Sequence, residues 1–147
     1  MDLMASLWQE FRVACRTVLL AGYAAHSPAL VIPVYTNEPR NRTALPFAVI
    51  ERVSEIEDQS FDDADRVKIL DFQIRIVSLG TGATPAATHE TVCEVTETTI
   101  RRVKFTLTNW LVSKINYQQT LTVQETDDAI VSVLEFTVIG HPKPVTP

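Results

Sequence analysis

Leu70-Asp71-Phe72-Gln73-Ile74-Arg75-Ile76 alternates apolar and polar residues without a break. Successive side chains of a strand point to opposite faces. Leu70, Phe72, Ile74 and Ile76 therefore share one face, and Asp71, Gln73 and Arg75 the other. Extended over residues 66–79, the pattern predicts a half-buried antiparallel strand. Upstream, residues 47–56 read as a second strand, with Phe47, Val49 and Val53 on one face. Between them lies Glu55-Ile56-Glu57-Asp58-Gln59-Ser60-Phe61-Asp62-Asp63-Ala64-Asp65, which holds six acids and no base before Arg66. The two strands are predicted to form a hairpin with a long acidic tip.

Helical periods flank this hairpin. Met4, Leu7, Trp8, Phe11, Cys15, Val18 and Gly22 recur at i, i+3 and i+4, with Asp2, Ser6, Gln9, Arg16 and Thr17 largely opposite. The spacing predicts an amphipathic helix over residues 2–25, ending before Ser27-Pro28. A short apolar run, Val31–Thr36, and a polar connection, Asn37–Leu45, lead to the Pro46 that introduces the first hairpin strand. After the hairpin, Gly80-Thr81-Gly82-Ala83-Thr84-Pro85 breaks the strand, with Thr84 placed as an N-cap and Pro85 at the first helical position. Cys93, Thr96, Ile100, Val103, Leu107 and Trp110 then predict a second helix reaching about residue 112. Residues 115–125, with Tyr117, Leu121 and Val123 aligned, and residues 130–140 form a second hairpin around Thr126-Asp127-Asp128. Residues 1–140 are read as one domain. His141–Pro147, with three prolines, is expected to lie outside the fold. The expected architecture is α+β: a two-layer domain of order α-β-β-β-α-β-β, with two amphipathic helices on a mostly antiparallel four- to five-stranded sheet.

Composition narrows the function classes. The 147 residues are 46% hydrophobic and 21% charged, which is globular rather than disordered or fibrous. Seventeen Val and seventeen Thr against four Gly favour strands. Thirteen basic and eighteen acidic residues leave a net charge of −5, unlike a nucleic-acid clamp with its basic stripe. Cys15 and Cys93 are too few for a disulfide scaffold and read as two reduced, buried thiols. Asp2 and Glu10 sit where a secretory signal is positive, and His26, Ser27, Pro28 and Pro33 interrupt the uncharged stretch Thr17–Asn37. Neither a cleaved signal nor a membrane helix is expected, and cytoplasmic synthesis is.

No constellation of residues points to catalysis. His26, His89 and His141 fall in a loop, a helix start and the C-terminal segment. His89, Cys93 and Glu97 follow one helix face, but two further metal ligands would have to come from elsewhere. The preferred reading is a helix-start histidine and a core cysteine. Gly80-Thr81-Gly82 lacks the Gly-Lys-Ser/Thr ending of a phosphate loop. Arg101, Arg102 and Lys104 read as the wet face of the second helix. No enzyme activity, cofactor or metal is expected.

The layout itself resembles a family. An amphipathic helix leads through the Pro-flanked strand Val31-Ile32-Pro33-Val34-Tyr35 to the strand Leu45-Pro46-Phe47-Ala48-Val49-Ile50. A polar hairpin tip, an alternating strand, a long helix and a final pair of strands follow. This order is similar to that of the tail terminator (tail completion) proteins of long-tailed bacteriophages, over residues 2–140. The resemblance implies a structural virion protein at the head-proximal end of the tail, assembled in the host cytoplasm. Such a protein forms a homo-oligomeric ring, commonly a hexamer, which ends tail-tube polymerisation and offers a surface for head–tail joining. Its partners would be further copies of itself, the tail tube protein and the head–tail connector, with genomic DNA passing through the lumen without specific binding.

Val131, Val133 and Ile139 stand opposite Ile130, Leu134 and Phe136, so the last strand is apolar on both faces and its second face needs a cover. Within the acidic tip, Phe61 is a large apolar side chain set among charges. Phe61 is expected either to anchor the tip on a neighbour, with Asp62, Asp63 and Asp65 meeting basic groups such as Arg40 and Arg42 of an adjacent copy, or to fold back on its own domain while the acids keep the loop soluble. Two rival classes remain: another connector or tube component, and a small ligand-binding α+β protein, which would need a deep apolar pocket.

Overall fold

The computed structural model describes residues 6–37, 46–58, 67–79, 86–126 and 129–143. These form helix α1 (Leu7–Ala25), strands β1 (Val34–Tyr35), β2 (Phe47–Asp58) and β3 (Val67–Leu79), helix α2 (Ala86–Arg102), and strands β4 (Trp110–Glu125) and β5 (Ala129–Pro142). One five-stranded sheet has the order β1-β2-β3-β5-β4, antiparallel except where β1 runs parallel to β2. Both helices pack on one face, which is the expected two-layer α+β architecture.

α1 begins at Leu7 rather than near residue 2, because Ser6 caps it. The Ser6 Oγ accepts the Gln9 N–H at 3.1 Å, and the Gln9 Oε1 accepts the Ser6 N–H at 2.9 Å. This capping box satisfies two donors that the first turn leaves over. Met4 and Asp2 lie outside the described residues. Leu7, Phe11, Cys15, Leu19 and Tyr23, spaced by four, are all buried. They face Leu70, Phe72, Ile74 and Ile76 of β3, each essentially inaccessible, as their alternation predicts. Phe72 stacks on Phe136 at 5.2 Å and meets Phe11 edge-on at 4.8 Å, while Phe11 also meets Phe105 at 4.9 Å. These aromatic contacts join α1, β3, β5 and the chain after α2 in one core.

Four expectations need correction. The second helix stops at Arg102, ten residues early. From Lys104 to Leu107 burial alternates in steps of two, with Phe105 and Leu107 inside and Lys104 and Thr106 outside. Val103, Leu107 and Trp110 satisfy a helical period as well, but extended chain carries Leu107 and Trp110 into the core. Thr84 and Pro85 lie outside the described residues.

Tyr117, Leu121 and Val123 do not share a face. Bulges between Tyr117 and Gln119, and between Thr122 and Gln124, each insert one residue. An inserted residue reverses the facing of those beyond it. Tyr117 opposes Phe136 on the helix side, whereas Leu121 opposes Val133 on the other.

The hairpin tip is shorter than expected. Glu55–Asp58 belong to β2, with Ile56 opposite Ile69 and Glu57 opposite Lys68, cross-strand pairs that favour continued pairing.

β5 also runs on beyond residue 140. His141 pairs with Leu111 and Pro142 with Trp110. The Lys143 N–H donates to the Asn109 carbonyl at 2.8 Å, and its Nζ donates to the Leu107 carbonyl at 2.7 Å. Proline at the strand's end needs no outward donor, so it does not stop the pairing. No helix among the described residues is long and apolar enough to cross a membrane.

Candidate functional site

The face of the sheet opposite the helices is the candidate surface. At one end Phe47, Val49, Val77 and Val131 form a second buried apolar cluster, joined by Tyr35, whose ring meets Phe47 edge-on at 6.0 Å. Val133 is buried beside them, so β5 is apolar on both faces, as its sequence predicts. At the other end Ile56, Ile69 and Ile139 stand in register on three adjacent strands.

Two polar rows cross the sheet between these ends. In the first, Glu51 accepts hydrogen bonds from Gln73 at 3.2 Å and Arg75 at 3.1 Å, and Glu135 accepts one from Gln119 at 2.9 Å. In the second, Asp71 accepts from the Ser54 hydroxyl at 3.0 Å and the Thr137 hydroxyl at 2.6 Å. The Thr137 Oγ1 in turn accepts from Gln118 Nε2 at 3.1 Å. Side chains from β2, β3, β5 and β4 thus form a continuous ladder. It floors a depression of about 630 Å³ lined by Val53, Asp71, Gln73, Gln118, Glu135 and Thr137 among others. Polar contacts dominate, unlike the apolar pocket a small-molecule carrier would need. The alternation of β3 exposes the polar side of this face in the sequence. The bulges that bring Gln118 and Gln119 onto it leave no such signal.

Phe61, Asp62, Asp63, Asp65, Arg40 and Arg42, the residues expected at a subunit contact, all lie outside the described residues.

His89 and Cys93 do meet, with the Cys93 Sγ 3.7 Å from His89 Nε2. The imidazole is buried among hydroxyls. Ser78 Oγ lies 2.7 Å from Nδ1, Ser132 Oγ lies 2.7 Å from Nε2, and Thr122 Oγ1 lies 3.0 Å from Ser132 Oγ. Glu97 turns away and pairs with Arg101 at 3.0 Å. Among the described residues no group of three or more His, Cys, Asp or Glu is placed to hold a metal ion. Burial pushes the Cys93 thiol up to about 11, partly offset by a hydrogen bond from Ser132. Burial also pushes the Cys15 thiol and the Tyr23 phenol upward, so none is a ready nucleophile.

No protein-family model and no curated protein matches the chain. Among solved structures, it is similar to a chain of the virion of a native gene transfer agent particle. The TM-score is 0.68 at 14% identity, covering 94% of this chain and 99% of that one. A second solved chain overlaps 97% of this chain at 15% identity and a TM-score of 0.49. The first similarity shows that this chain shares its fold, end to end, with a protein of that virion.

Proposed function

We propose that this chain is a structural protein of a phage-like virion, and that it acts as the tail terminator. In this reading copies of the chain form a ring, hexameric by analogy with the family it resembles, on the head-proximal end of the tail tube. The ring ends tube polymerisation and presents its far side to the head–tail connector, and DNA crosses its lumen without specific contacts. The observation that carries the reading is the likeness to a gene transfer agent virion chain over nearly the full length of both. The element order, similar to that of tail terminators, makes the reading specific. The helix-free face adds physical support at one end, where Ile56, 57% exposed, stands in register with Ile69 and Ile139 and gains from a second cover. The reading assigns no catalysis and no cofactor, and the buried Ser78–His89–Ser132 chain offers a substrate no access.

Gold-labelled antibody against the protein, viewed on intact particles, tests the assignment. Label is expected only where the tail meets the head, and tubes made without the protein are expected to lose their uniform length. Label along the whole tube would replace the terminator with a tube subunit.

A further inference from the structure

The two edges of the sheet differ in kind. β4 forms one edge along all sixteen of its residues. From Ile115 to Gln124 it contains neither a charged residue nor a proline. Residues 118–124 are exposed throughout, and Leu121 and Val123 keep 43% and 60% of their surface in water. Natural edge strands are short, charged or interrupted by proline, because an open row of backbone donors and acceptors recruits another strand. Within that stretch β4 has only its bulges as protection.

Along the opposite edge, nine of the twelve residues of β2 have no flanking strand among the described residues. β1 reaches only Ala48 and Val49, so among the described residues no strand flanks β2 from Ile50 to Asp58. Four acids, Glu51, Glu55, Glu57 and Asp58, stand against three bases, Arg52 and the β3 residues Lys68 and Arg75, which pair with Glu55 and Glu51, so the stretch is acidic by one residue. Val53 and Ile56 are 59% and 57% exposed. Beside β4 the charge is opposite. The last turn of α2 carries Arg101 and Arg102, and Lys104 follows, all exposed. The Arg101 guanidinium carbon lies 5.7 Å from the centre of the Tyr117 ring, which holds this basic turn against β4. Lys114 adds a further exposed base on the strand itself.

We infer that the β4 edge of one copy pairs with the Ile50–Asp58 stretch of β2 in a second copy, continuing the sheet from subunit to subunit. Each edge supplies main chain that no strand flanks among the described residues and two exposed aliphatic side chains, and the net flanking charges are of opposite sign. The two surfaces are different, so the contact is head-to-tail. Every added copy brings a fresh β4 and a fresh β2, and association continues until a ring closes. The inference rests on the ring reading above and names the surfaces that build it.

Sedimentation of the purified chain up to millimolar concentration, with two edge variants, tests the pairing. One variant carries Leu121→Glu and Val123→Glu on β4; the other carries Val53→Glu and Ile56→Glu on β2. Circular dichroism and melting verify that each folds, and Val123→Glu or Ile56→Glu alone replaces a double variant that does not. The wild type is expected to assemble, and each variant to sediment as the single 16.4 kDa chain. An equal mixture of the variants should form a two-chain species and nothing larger, since each retains one intact edge. A wild type that stays single at every concentration overturns the pairing, while the ring reading is decided separately by the label on intact particles. A wild type that assembles while both variants assemble equally well overturns the pairing alone. A β2 variant that dimerises by itself, or a mixture that stays monomeric, overturns the head-to-tail arrangement.

Discussion

His89 Nε2 lies 2.7 Å from Ser132 Oγ, which ties the first turns of α2 to the middle of the sheet. Ser78 holds the other ring nitrogen from β3, and Thr122 extends the chain to β4. Hydroxyls donate or accept equally well, so this arrangement suits either neutral tautomer of the imidazole. Ser132→Ala deletes the hydroxyl shared by His89 and Thr122 at a buried site. The expected cost is about 1–3 kcal/mol of folding stability, read by urea unfolding. An unchanged midpoint would mean that the network does not hold α2 in place.

Gly22 marks the close approach of the helices. A methyl group at its Cα would stand 2.5 Å from Thr99 Oγ1 and 3.1 Å from Thr99 Cβ. Gly22→Ala is expected to lower stability by roughly 1–3 kcal/mol through overpacking. Adding Thr99→Ala should recover most of the loss in a thermal melt, and failure to recover would place the strain elsewhere.

The Glu10 carboxylate accepts both the backbone N–H of Asn109 at 2.9 Å and its side-chain Nδ2 at 2.7 Å. This clamp holds the extended chain after α2 against α1. Glu10→Ala should cost about 1–3 kcal/mol, since hydrogen bonds to a charged acceptor are the stronger kind. Hydrogen exchange at the Asn109 amide should accelerate, while amides in the centre of β3 should be unaffected.

Alkaline pH should unfold the protein. Burial raises the Cys93 thiol from 9.0 to about 11, and raises Cys15 and Tyr23 as well. Each group therefore loses its proton more readily in the unfolded chain. Their contribution to stability is complete below about pH 9 and is lost as the pH rises through about 11 and beyond. Urea midpoints should fall steadily over that range, and a thiol reagent at pH 8 should label Cys15 only after unfolding. A flat pH profile would contradict the burial of these groups.

Residues close together in the chain carried much of the legible information. The four-residue spacing of Leu7, Phe11, Cys15, Leu19 and Tyr23 and the strict alternation of β3 identify elements by local period alone. The end of α2 was harder to read, because Leu107 and Trp110 satisfy both periods. The alternation of Lys104, Phe105, Thr106 and Leu107 was nonetheless present in the letters. The facing of Leu121 was not legible, since a bulge is a mismatch between two strands and not a property of either.

The sequence by itself determined the element order, the α+β class and the helix-facing side of β3, because periodicity and turn chemistry act within a few residues. Only the tertiary structure decided that β1 runs parallel to β2, that Ser54, Asp71, Thr137 and Gln118 join in one row, and that β4 is an outer strand of the sheet. These features depend on register between strands distant in sequence. Register is set by packing the whole apolar face at once, a condition that no single segment contains.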